Sequence, residues 1–124
     1  MGASLLIDIQ NDFLPGGSLA VPDGDAVIPV ANRLMPAYRL VVATEDWHPA
    51  GHGSFARSHA GKRPGEVIEP TGQDQVLWPD PCVQGTPGAE LHDDLDRGGV
   101  DEGDGCDDLL NGPGATPLGG WRSR

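Results

Sequence analysis

The sequence is poor in cysteine, in cations and in long apolar runs. Its two cysteines, Cys82 and Cys106, are too few for a disulfide framework. That points to a reducing, cytoplasmic location. Eight Lys and Arg against nineteen Asp and Glu leave a net charge of −11 on 124 residues. Such a balance excludes the basic face that nucleic acids require and disfavours docking on anionic membranes. No apolar run approaches the roughly 20 residues of a membrane span. The opening residues lack a basic region and reach Asp8 too early for a secretory signal. Leu6 stands where an N-myristoylation signal has Ser or Thr. Hydrophobic residues make up 37% of the chain and aromatics 5%. A sizeable core therefore needs them concentrated, and most lie before residue 92.

What is present divides the chain in two. Residues 1–92 carry the pattern of one α/β domain, and 93–124 read as a Gly/Asp-rich, disordered acidic tail. Within the tail, only Asp107 to Leu110 is expected to hold a turn. Ser4 to Ile9 is a short apolar run broken at Asp8, the pattern of a buried parallel strand. Pro15, Gly16 and Gly17 then set turns. Val27, Val30, Ala31, Leu34 and Met35 recur at helical spacing, with Asp25 as the expected N-cap and Pro36 as the stop. Leu40 to Thr44 is a second apolar, β-branched run. Strand, helix and strand in this span predict a right-handed, parallel βαβ unit. Residues 45–75 read mostly as loop. A short strand is expected near Gln75 to Trp78, and a short helix from Thr86 to His92.

Ligands of parallel α/β sheets bind beyond the carboxyl ends of the strands. Asp8 ends the first strand, and Glu45-Asp46-Trp47-His48 follows the second. Asp46 and His48 are two apart on extended chain, so they point the same way. With His52 they form either the start of a divalent-metal site or a solvated polar loop. Asp8, a carboxylate in an apolar strand, either hydrogen-bonds loop amides near Asn11 or acts as a general base of raised pKa. His59 and His92 read as surface histidines, and Lys62, the only lysine, as a solvated loop charge.

Four blocks carry a resemblance: Asp8-Ile9-Gln10-Asn11-Asp12-Phe13, Pro15 to Val21, Thr44-Glu45-Asp46-Trp47-His48-Pro49, and Trp78-Pro79-Asp80-Pro81-Cys82-Val83-Gln84-Gly85-Thr86. In order and spacing they resemble the nicotinamidases of the isochorismatase-like cysteine hydrolase family over roughly residues 3–96. The resemblance implies a partial doubly wound parallel sheet with helices on both faces. It implies an amidohydrolase of NAD salvage, turning nicotinamide and water into nicotinate and ammonia. Asp8 matches the triad aspartate that takes the proton of a nucleophilic thiol. Asp46 and His48, with His52 in some members, match ligands of a divalent metal (Zn, Fe or Mn) that holds the pyridine nitrogen. Phe13, Leu19 and Trp78 match residues that wall the substrate ring. Homo-oligomers are also allowed for.

The chain departs from that pattern in three places. Pro81 stands where the family usually has a metal-binding histidine. The family's lysine should follow the fourth block, whereas Lys62 precedes it. The nucleophile should lie in a further half of a chain of about 200 residues. Cys82 is not at its position, and Cys106 sits in an anionic setting with no expected strand before it. The chain is thus read as a truncated member. Two rival readings stand beside this one: a non-catalytic remnant that binds metal or small molecules weakly, and a related carboxamide hydrolase of the same superfamily.

Overall fold

The computed structural model describes residues 2–106 and 121–122, and only the backbone of residues 102–106 and 121–122. Strand β1 (Ala3–Ile7) runs parallel to β2 (Leu40–Asp46), with Leu5 opposite Val42 and Ile7 opposite Thr44. Helix α1 (Val27–Leu34) makes the crossover between them, so the expected βαβ unit is present. Both strands fall close to their expected limits, but β1 is not the buried strand expected from its sequence: Leu6 is buried, while Leu5 and Ile7 on the other face are exposed among the described residues.

Two short strands, β3 (Val67–Ile68) and β4 (Gln75–Val76), form a separate antiparallel pair. The expected helix after Thr86 is one turn of 3-10 helix, Pro87–Ala89. Pro87 suits the start of such a turn, but the segment is too short to extend it.

The chain then returns to the sheet. Strand β5 (Glu102–Cys106) pairs parallel with β2, and β6 (Trp121–Arg122) pairs antiparallel with β5. The sheet order is β1-β2-β5-β6, which leaves β1 at one edge among the described residues.

Three further expectations change here. First, the tail does not begin at Asp93. Leu95 is buried in the core beside Met35 and Val41, and Val100 packs against that cluster. Asp101 accepts the Val41 N–H through its carboxylate at 2.8 Å and donates its own N–H to the Val41 carbonyl at 2.8 Å. Pairing with β2 gives this Gly/Asp-rich segment hydrogen-bond partners for its backbone although it has few apolar side chains to bury. Residues 107–120, including the expected turn at Asp107 to Leu110, lie outside the described residues.

Second, Asp25 does not cap α1. It lies in a 3-10 turn, Gly24–Ala26, and Ala26 takes the N-cap position with no side-chain bond. Third, α1 is rotated relative to the expected stripe. It buries Ile28 and Ala31, with Met35 buried in the 3-10 turn that follows, while Val27, Val30 and Leu34 are exposed. The core under α1, with Leu6, Ile9 and Leu14, takes only one narrow face of the helix. Each buried Leu or Ile there contributes about 2 kcal/mol. Among the described residues no helix is long and apolar enough to cross a membrane.

Candidate active site

Asp8 ends β1 in a left-handed conformation, φ +53°. This is costly for a residue with a Cβ and breaks the pleat there. The Asp8 N–H donates to the Thr44 carbonyl at 3.2 Å, and the Thr44 hydroxyl donates to Asp8 Oδ1 at 2.6 Å. The carboxylate is thus tied to β2, not to the amides around Asn11.

Two residues further on, Gln10 is completely buried. Its Nε2 donates to the carbonyls of Asp46 and Ala89, each at 2.7 Å. Its Oε1 accepts the Asp46 N–H, also at 2.7 Å. One amide side chain therefore joins the ends of β1 and β2 to the turn at residues 87–89. Chain direction is held at the same place by Asn11 N–H to the Glu90 carbonyl and His92 N–H to the Ile9 carbonyl, each at 3.0 Å.

Beyond β2, the His48 N–H donates to the Cys82 carbonyl at 2.9 Å, and the Gln84 N–H donates to the His48 carbonyl at 2.8 Å. This short parallel bridge sets the Trp47-His48 corner against the Pro81-Cys82 loop. A second bridge, Phe55 to Trp78, brings the residues after His52 alongside the same loop. His48 and His52 are both buried, with ring centroids 4.6 Å apart. Phe55 packs its ring against both, at 5.3 and 5.6 Å. Asp46 Oδ1 lies 3.0 Å from His48 Nδ1, and His52 Nδ1 lies 2.6 Å from the Ser54 hydroxyl.

These elements enclose a cavity of about 320 Å³ lined by Phe13, Leu19, Asp46, His48, Trp78 and Pro81, with Ser54 and Phe55 behind. Trp78 is 43% exposed, the degree expected of an aromatic wall at a pocket mouth. The aromatic and aliphatic sides suit a flat ring, and the carboxylate and imidazole supply polar contacts at one end. The arrangement can therefore hold a small polar heterocycle.

A model of the isochorismatase domain matches residues 3–100. The chain belongs to that family.

Among curated members, the nicotinamidase of Acinetobacter baylyi is 50% identical over 94 residues, covering 76% of this chain and 44% of the relative. A solved structure of the Acinetobacter baumanii nicotinamidase pyrazinamidase superposes with a TM-score of 0.74 at 50% identity, over 79% of this chain and 47% of that one. The pyrazinamidase of Pyrococcus horikoshii in complex with zinc superposes with a TM-score of 0.58 at 41% identity, over 79% and 48%. The chain thus spans about half the length of the isochorismatase-family relatives it matches.

Of the residues singled out from sequence, Phe13, Leu19, Trp78, Asp46 and His48 line one cavity. His52 stands behind it, against His48. Asp8 lines a neighbouring groove and shares only Phe13 with the cavity. Its charge nonetheless reaches the same loop. The buried Cys82 thiol is pushed far above its ordinary pKa, first by burial and then by Asp46, Asp12, Asp8 and Glu45. Burial of the sulfur and the surrounding carboxylates both disfavour the thiolate, the reactive form, so Cys82 is poorly suited as a nucleophile. Cys106, expected to lie outside any strand, ends β5 in register with Asp46.

A carboxylate and two imidazoles suit zinc, iron or manganese chemically. Yet among the described residues no three His, Cys, Asp or Glu side chains gather closely enough to hold a metal ion. Asp46 and His48 face each other, and the buried Pro81 offers no donor atom. As arranged, the three residues do not make a metal site.

Sequence reasoning missed Gln10 and Asp12. Asp12 accepts the Cys82 N–H at 2.7 Å through Oδ2 and the Ser18 N–H at 3.2 Å through Oδ1. The signal for both was their place directly after a strand end, where polar side chains are used to hold loops.

Proposed function

We propose that the chain carries the ring-binding part of a nicotinamidase-type amidohydrolase, which converts nicotinamide and water to nicotinate and ammonia in NAD salvage. The observation that carries this reading is the cavity in which Phe13, Leu19 and Trp78 face Asp46 and His48. The pyridine ring packs between Phe13 and Trp78, with its nitrogen toward the Asp46–His48 end. In the overall reaction the carboxamide C–N bond breaks, water supplies the hydroxyl and one proton, and ammonia leaves. Asp8 serves as the proton acceptor for the attacking thiol. That thiol is not Cys82.

A second reading, a small-molecule binder without turnover, is favoured by one specific observation. Asp8 lies outside the ring cavity, in the adjoining groove. Ammonia release from nicotinamide, measured with zinc, manganese or iron added, separates the two. Turnover that Asp8→Asn abolishes supports the hydrolase. Turnover untouched by Asp8→Asn removes Asp8 from the reaction. Saturable nicotinamide binding with no ammonia supports the binder.

A further inference from the structure

The walls of the ring cavity come from segments far apart in sequence, and one carboxylate ties several of them together. Asp12 lies in the 3-10 turn Asn11–Phe13, next to the cavity residue Phe13. Its backbone carbonyl accepts the Leu19 N–H at 2.9 Å, and its Oδ1 accepts the Ser18 N–H at 3.2 Å. Its Oδ2 accepts the Cys82 N–H at 2.7 Å, and the Cys82 carbonyl accepts the His48 N–H at 2.9 Å. Leu19, Pro81 and His48 all line the cavity, whereas Asp12 does not. Two glycines leave room for Asp12: a Cβ on Gly17 would overlap its carbonyl, and one on Gly88 its carboxylate. The Ser18 hydroxyl adds a longer tie between the same two loops, donating to the Asp80 carbonyl at 3.4 Å.

We propose that Asp12 is a positioning residue: its carboxylate fixes the Leu19 wall against the Pro81 wall and so sets the width of the cavity for a flat ring. Cys82 shows why the carboxylate is needed. It is completely buried and has φ +53°, a conformation that costs free energy for any residue with a Cβ. A charge-assisted hydrogen bond to Asp12 holds its N–H there. Without that acceptor the donor is left unpaired, which is costly away from water. Rotation of the Pro81–Cys82 peptide relieves both the strain and the unpaired donor. The same rotation moves Pro81 in the cavity wall and the carbonyl that holds His48. This role rests on the reading of the cavity as a nicotinamide site and extends it to a residue behind the wall.

The test compares Asp12→Ala, Asp12→Asn and Leu95→Ala by NMR, first without ligand and then with nicotinamide titrated in. Leu95 is buried in the core and does not line the cavity, so its truncation lowers stability without touching the walls. Asp12→Ala should move the Leu19 methyl and Trp78 indole signals of the free protein and weaken nicotinamide binding at least about tenfold. Asp12→Asn keeps the shape and one acceptor oxygen and should weaken binding about threefold; it carries the test if Asp12→Ala does not fold. Leu95→Ala should leave the affinity within about twofold. Unchanged affinity in the Asp12 variants, unmoved Leu19 and Trp78 signals, or an equal loss in Leu95→Ala would overturn the proposal. If the unsubstituted protein binds no nicotinamide, the nicotinamidase reading fails, and the signals of the free protein decide for or against Asp12.

Discussion

Gln10 holds Asp46 by both of its backbone polar groups, N–H and C=O, through two hydrogen bonds of 2.7 Å. The side chain acts as one more rung between β1 and β2 at the point where both strands have ended. A third bond to Ala89 fastens the following turn to the same place. The Asp46 carboxylate owes its position beside His48 to this clamp.

Gln10→Leu should therefore destabilise the protein by on the order of 3 kcal/mol, because three backbone groups lose their partner in a buried setting. Urea unfolding followed by circular dichroism checks the value. A loss below about 1 kcal/mol would mean that water replaces the amide.

Gly88 sits against the Asp12 carboxylate so closely that a Cβ there would overlap it. Gly88→Ala should push Asp12 off the Cys82 N–H and lower thermal stability by about 1–3 kcal/mol. Because the two residues touch, the effect should shrink in the Asp12→Ala background. Equal losses in both backgrounds would show that the clash lies elsewhere.

The Cys82 thiol should stay inert while the protein is folded. With Cys106→Ser as background, iodoacetamide at neutral pH should leave Cys82 unmodified until denaturant is added. The pH dependence has a definite sign. Folding raises this thiol's pKa above its ordinary 9.0, so above pH 9 the unfolded chain loses the proton that the folded chain retains. Stability should fall as pH rises beyond 9 and be unaffected by this group below it. Cys82→Ala should flatten that slope. Rapid labelling of the folded protein would contradict the burial.

Pro81 lines the same cavity as Asp46 and His48, so a donor placed there can reach them. Pro81→His should tighten zinc binding at least about tenfold, some 1.4 kcal/mol, as read by competition with a chelating dye. Asp46→Ala with His48→Ala should abolish the gain. An unchanged affinity in Pro81→His would show that a missing donor at position 81 is not what keeps a metal ion out of this corner.

The parts of this molecule that could be read from sequence follow local rules. β1, α1 and β2 each contain their own period, and the loop chemistry at Pro15 to Gly17 marks the turn between them. Phe13, Leu19, Asp46, His48 and Trp78 were reached through the four-block resemblance; spacing alone left Asp46 and His48 open between a ligand pair and a solvated loop. What was missed depends on partners distant in sequence. Leu95 is buried in a core it shares with Met35, Val41 and other residues far away in sequence. β5 lies in a segment whose glycines and aspartates give no strand signal, and its pairing comes from the exposed edge of β2. The α1 face was misassigned because periodicity identifies an apolar stripe without saying which part of it the rest of the domain covers.

The central claim is that the Phe13–Trp78 cavity holds a pyridine carboxamide. The most direct test is titration of nicotinamide into the protein with the indole N–H signals followed by two-dimensional NMR. The Trp78 signal, identified by its loss in Trp78→Phe, should shift saturably, and Phe13→Ala should weaken the binding at least about tenfold. An unmoved Trp78 signal at saturating nicotinamide, or a shift indifferent to Phe13→Ala, would contradict the account.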